Sequence, residues 1–189
     1  MLVAVGDYGG ARKAFEEGLT IARGLSAADP SNVAAQRGVA TLLDNMASLL
    51  IAMGDQVGAR KALEEDLVIA RRLSAADPTN AAAQSIVSVA LNKLGGVLVA
   101  GNDISGARKA YEESLGIVRR LSSAEPTNAE AQRDVAVSLW GLARIPGSGV
   151  RWSDVVAQME TMKSKGILNP ADEKFIEQAR QNAAKQNMP

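Results

Sequence analysis

Apolar residues recur along this chain at spacings of three and four, the rhythm of helices buried on one face. Over 8–28 the stripe is Phe15, Leu19, Ala22 and Leu25, with Arg12, Lys13, Glu16 and Glu17 on the opposite side. Asp29-Pro30 ends that helix, because a residue before proline is pushed out of the helical region, and Ser31-Asn32 offers a cap to the next one. The next helix is predicted over 32–53 and carries Val39, Leu43, Met46 and Leu50. Gly54-Asp55 turns the chain, and helices are predicted over 56–76, 80–100 and 104–124, broken by Pro78 and by Gly101-Asn102. Val87, Leu91, Leu94 and Leu98 form the stripe of the middle one. A further helix opens after Pro126 with Val135, Leu139 and Leu142 in phase.

At Pro146 the rhythm fails, and Gly147-Ser148-Gly149 follows. Beyond it Trp152, Val155, Val156, Met159 and Met162 make one helical face, and Gly166 suits a helix C-terminus. Asn169-Pro170-Ala171-Asp172 places a cap, a proline and an acid in the order that opens a helix, predicted over 170–185 with Phe175, Ile176 and Ala179 inward.

The pattern is also a repetition. Residues 11–32, 59–80 and 107–128 are three copies of one phrase, identical at 14 of 22 positions and spaced by 48 residues. A fixed period of this size marks a solenoid, whose units bury their apolar faces against one another. The expected fold is therefore all-α: a helical-repeat solenoid over 1–145, a linker at 146–149, and a capping helix pair over 150–189. In register, Leu2 falls where Leu50 and Leu98 fall, so the chain is expected to begin inside a repeat, with its first A-type helix truncated.

The phrase resembles the second helix of a tetratricopeptide repeat. Gly6-Asp7-Tyr8 leads to Ala11, then to Phe15, and Pro30 closes the unit; Leu91-Asn92-Lys93-Leu94-Gly95-Gly96-Val97-Leu98 resembles the first-helix motif with leucines for its aromatics. That family's unit is about 34 residues. The longer period here corresponds to about seven extra residues per helix, roughly two turns, which keeps the apolar stripe in phase.

Composition narrows the chemistry. Basic and acidic residues balance at 21 each, so no global field draws in nucleic acid or an acidic membrane surface. There is no His and no Cys, which removes the commonest general base, metal ligand and thiol nucleophile. The Gly-Ser-Gly loop lacks the lysine and preceding strand of a phosphate-binding loop. Glu64-Glu65-Asp66 is the densest acidic cluster and reads as a solvated helix face beside Arg60 and Lys61. Neither an enzyme nor a cofactor is expected. No apolar run looks long enough to cross a membrane, and the opening Met1 to Val5 is short for a signal-peptide core. A cytoplasmic setting is the expectation.

The resemblance implies a non-enzymatic interaction module, a scaffold or sensor part of a larger bacterial assembly, that holds a protein or peptide in a concave groove. It places the groove at Arg37, Thr41, Asp44, Asn45 and Ser48; at Ser85, Val89, Asn92, Lys93 and Gly96; and at Arg133, Val137, Trp140 and Gly141. Of the family's carboxylate clamp only Lys93 fits, with Asp44 standing where a lysine is wanted. Gln36, Gln84 and Gln132 lie on the packing stripe and are expected to be at least half-buried and hydrogen-bonded. The capping pair is expected to lie against Trp140 through Trp152 or Met159. The alternative function is self-assembly through an open N-terminal edge formed by Leu2, Phe15 and Leu19.

Overall fold

The computed structural model describes residues 7–186. These residues form eight α-helices and no strand: α1 (Tyr8–Ala28), α2 (Val33–Ala52), α3 (Gln56–Ala76), α4 (Ala81–Ala100), α5 (Ile104–Ala124), α6 (Ala129–Ala143), α7 (Trp152–Ser164) and α8 (Glu173–Gln186), the last preceded by a 3-10 turn at Pro170–Asp172. Each helix packs on its neighbours in sequence, and α4 also meets α6. This is the stacking of a helical-repeat solenoid, with helices of 20 or 21 residues through α5.

Helix boundaries follow the repeat. Asp7, Asp55 and Asp103 cap α1, α3 and α5 by accepting from the backbone N–H of Gly10, Gly58 and Gly106. Asn32, Asn80 and Asn128 cap α2, α4 and α6 by accepting from Ala35, Ala83 and Ala131. At Gly58 a Cβ would stand 2.5 Å from the Asp55 carboxylate, so the cap itself excludes a side chain there. The turns between paired helices need one left-handed residue, supplied by Gly54 (φ 80°) and, 48 positions on, by Asn102 (φ 61°).

The repeated glutamines tie each turn to the helix that follows. The Nε2 atoms of Gln36 and Gln84 donate to the carbonyls of Pro30 and Pro78 at 2.5 and 2.6 Å, and that of Gln132 donates to Pro126 at 3.3 Å. Gln36 and Gln132 are buried and Gln84 is half-buried, as their place on the stripe requires.

With few aromatics, the core is built from aliphatic residues on closely approaching helices. Ala11, Ala59 and Ala107, one position in three copies, are at most 1 % exposed. By length and composition α4 is apolar enough to cross a membrane, which corrects the sequence expectation that no stretch is. In the fold it packs against α3, α5 and α6. On the α1, α3 and α5 side, Arg23 pairs with Glu65 and Arg71 with Glu113, each through both carboxylate oxygens, so successive units are stitched at equivalent points.

Candidate binding groove

Helices α2, α4 and α6 stand side by side. Lys93 on α4 reaches Asp44 Oδ1 on α2 at 2.6 Å and Ser48 Oγ at 2.8 Å. Ser138 on α6 donates to Asn92 Oδ1 on α4 at 3.0 Å. Between them lies a cavity of about 180 Å³ lined by Ala40, Thr41, Asp44, Asp66, Ser85, Ile86, Val89 and Glu130. Four helices therefore contribute to one site, and Thr41, Asp44, Ser85 and Val89 are groove residues expected from sequence.

Other expected positions are elsewhere. Asn45 and Ser48 are exposed without lining this cavity, and Gly96 is half-buried beside the Tyr111 hydroxyl. Arg37 is half-buried with its Nε enclosed and without a partner. Two positions are corrected. Asn92 is buried because its amide oxygen serves Ser138, and Gly141 is buried beneath the Tyr111 ring, so neither faces a ligand. Lys93 is engaged by Asp44 and Ser48, which leaves no free lysine at the position that matched the carboxylate clamp.

Asp66 is the residue the sequence reading missed. It is 1 % exposed rather than solvated, and neither carboxylate oxygen has a hydrogen-bond partner. The signal was in the spacing: Ala59, Ala62, Leu63, Asp66, Leu67, Ala70 and Leu73 are the buried stripe of α3, and Asp66 sits on it. Burial, and secondarily the charge of Asp44, push its carboxyl up to about 7 against the opposing pull of Lys93. On α6, burial and the neighbouring Glu130 push Asp134 up to about 6, with Arg133 opposing.

The far end of the groove is covered. Trp140 meets Trp152 edge-to-face at 4.8 Å between ring centroids and Phe175 at 5.9 Å, as the capping expectation required of Trp152. Arg133 donates to Asp172 at 2.8 Å across the same junction. Arg133, Val137 and Trp140 line a second cavity of about 230 Å³ together with Ala136, Met159, Asp172 and Phe175.

A Tetratricopeptide repeat family model matches residues 39–78, the hairpin of α2 and α3 from Val39 to Pro78. The repeat is tetratricopeptide-like. Tetratricopeptide repeats generally mediate protein–protein interaction and are typically non-enzymatic. No curated protein matches the chain. Among solved structures, the crystal structure of BtubC (BKLC) from P. vanneervenii aligns over 96% of this chain and 93% of its own, at 14% identity and a TM-score of 0.33. That likeness is too loose to carry an argument about fold or function.

At the N-terminal end the open-edge expectation is corrected. Leu19 is 5 % exposed and Phe15 is half-buried, and both belong to a core cluster with Val39, Leu43 and Met46 of α2. Leu2 and the expected first helix lie outside the described residues. The aliphatic side chains that α1 exposes most are Ile21 (67 %) and Leu25 (57 %), the latter expected on its inward stripe.

Proposed function

We propose that this chain is a non-enzymatic interaction module that holds an extended or helical peptide along α2, α4 and α6, as a scaffold or sensor part of a larger assembly. The observation that carries the reading is the cavity shared by Thr41 and Asp44 of α2, Ser85 and Val89 of α4, and Glu130 of α6. A peptide laid across aligned helices meets polar anchors and apolar floor in turn, which is how grooves of this kind recognise partners. A cytoplasmic setting goes with the reading, and fractionation of the source cells tests it. For the groove, peptides are selected by display against the full chain and measured again on Ser85→Arg, which fills the cavity. Binding should weaken at least tenfold, roughly 1.4 kcal/mol. Selection of no peptide, or unchanged binding to the variant, would overturn the proposal.

Self-assembly is a second reading, and the exposed Ile21 and Leu25 favour it: the residues in register on α3, Ile69 and Leu73, are half-buried and buried. Sedimentation of the chain beside an Ile21→Glu, Leu25→Glu variant decides it. A concentration-dependent dimer lost in the variant supports the reading, and a monomer at high micromolar concentration refutes it.

A further inference from the structure

We infer that the cavity beside Asp66 is a receptor for a cationic side chain, a lysine or arginine of the bound peptide, with Asp66 as its buried counter-ion. The inference rests on the groove reading above and names the chemistry of one contact within it.

Comparison of the three copies makes Asp66 stand out. Its counterparts in register are Gly18 and Ser114. Ser114 is buried and satisfied: its Oγ lies 3.0 Å from both the Ser88 carbonyl and Ser138 Oγ, either of which can accept its proton. One repeat earlier, Ala40 and Ala90 stand where Ser88 and Ser138 do, so the matching side chain next to Asp66 has no hydroxyl to give. The carboxylate is thus enclosed and unpartnered, and Asp66 is among the residues that line a cavity. An enclosed carboxylate without a donor is costly, and the remedy is a donor that carries positive charge.

The surrounding charges point the same way. The groups facing Asp66 are Asp44 from α2 and Lys93 from α4, and Glu130 lines the cavity from α6. The ammonium of Lys93 is engaged by Asp44 and Ser48, so it acts on Asp66 through its charge and gives it no hydrogen bond. Thr41 and Ser85 add hydroxyl oxygens, while Ala40, Ile86 and Val89 offer apolar wall to the methylene stem behind a cationic head. Among the described residues no group of three or more acidic residues is arranged as ligands for a metal ion. Because the Asp66 carboxyl titrates near neutrality, a bound cation would displace its proton.

The test uses the full chain and two probes, n-butylammonium and n-butylguanidinium, with n-butanol and sodium chloride as controls. Side-chain carboxyl and backbone amide NMR signals are followed through the titration. The expected result is saturable shifts at Thr41, Asp44, Asp66 and Ser85 with either cation and none with butanol. The Asp66 titration midpoint should fall by about one unit or more at saturation. Asp66→Ser, which places the Ser114 residue type in the equivalent position, and Asp66→Asn should both abolish the response. Shifts no larger than those from sodium chloride at equal ionic strength, or shifts that persist in either variant, would overturn the inference. Peptides that bind the groove while the cations give no saturable response would sink this contact and leave the groove standing. A saturable cation response with no selectable peptide would sink the groove reading and leave the receptor.

Discussion

The Tyr111 ring presses on the backbone of Gly95 so closely that a Cβ built there would stand 2.7 Å from its Cε1 and Cζ atoms. Gly141 lies closer still to the same ring. In the preceding copy the residues in register with Gly95 and Tyr111 are Ala47 and Leu63, a larger floor under a smaller side chain. Gly95→Ala should therefore destabilise the chain by about 1–3 kcal/mol through overpacking. Adding Tyr111→Leu should recover much of the loss. Thermal denaturation of the single and double variants checks this, and a double variant no better than Gly95→Ala would show that the ring is not the obstacle.

Asp66 gives the fold a pH dependence of known sign. Its carboxyl is raised in the folded chain to about 7 from an ordinary value of 3.8, so the folded state holds the proton more tightly than the unfolded one. This contribution to stability is fully present below pH 3.8 and is lost as pH rises to about 7. The swing is on the order of 4 kcal/mol at 1.36 kcal/mol per unit. Urea denaturation of wild type and Asp66→Ser at pH 5 and pH 8 should show the variant gaining relative stability at the higher pH. A difference that does not change with pH would refute the assignment.

Lys93 and Arg23 each pair with a carboxylate, in different surroundings. The Lys93–Asp44 pair is largely shielded, and Lys93 also restrains the rise of the Asp66 carboxyl. Lys93→Met should cost about 1–3 kcal/mol and cost more at pH 8 than at pH 5, since only ionised Asp66 feels the loss. The Arg23–Glu65 pair is half-exposed on both sides, and Arg23→Ala should cost about 0–1 kcal/mol, less in high salt. Chemical denaturation at two pH values and two salt concentrations separates the cases.

Gln132 does more than its two counterparts. Besides donating to Pro126, it donates to the Ser122 carbonyl at 3.3 Å and accepts from Gln158 Nε2 on α7 at 2.8 Å. Gln132→Ala should cost about 1–3 kcal/mol by leaving buried groups unpaired, and Gln84→Ala, half-exposed, should cost less. Hydrogen exchange gives a second readout: α7 amides should lose protection in Gln132→Ala and keep it in Gln84→Ala.

Much of the architecture was legible because it is local and said three times. A stripe at three-and-four spacing, an Asp or Asn cap at the start of each of α1 to α6, and a proline after α1, α3 and α5 are decided by residues within a few turns of one another. The 48-residue period then requires that each unit pack on the next in the same way. Glutamines at one stripe position were legible for the same reason, since their partner is the proline carbonyl six residues back.

What repetition could not reveal are the places where copies differ and distant helices meet. Asp66 lies within a polar run on paper, and its burial is decided by α2 and α4 closing over that face of α3. The pairing of Glu65 with Arg23 spans 42 residues and needs the solenoid to bring α1 beside α3. Phe15 and Leu19 were expected at an open edge, yet they join the core cluster that includes α2, while Ile21 and Leu25 stay outside. Sequence by itself determined the helices, their caps and their period, because those rest on contacts between near neighbours. Only the tertiary structure decided which polar groups lose water and which charges find partners, because desolvation depends on every helix that packs around them.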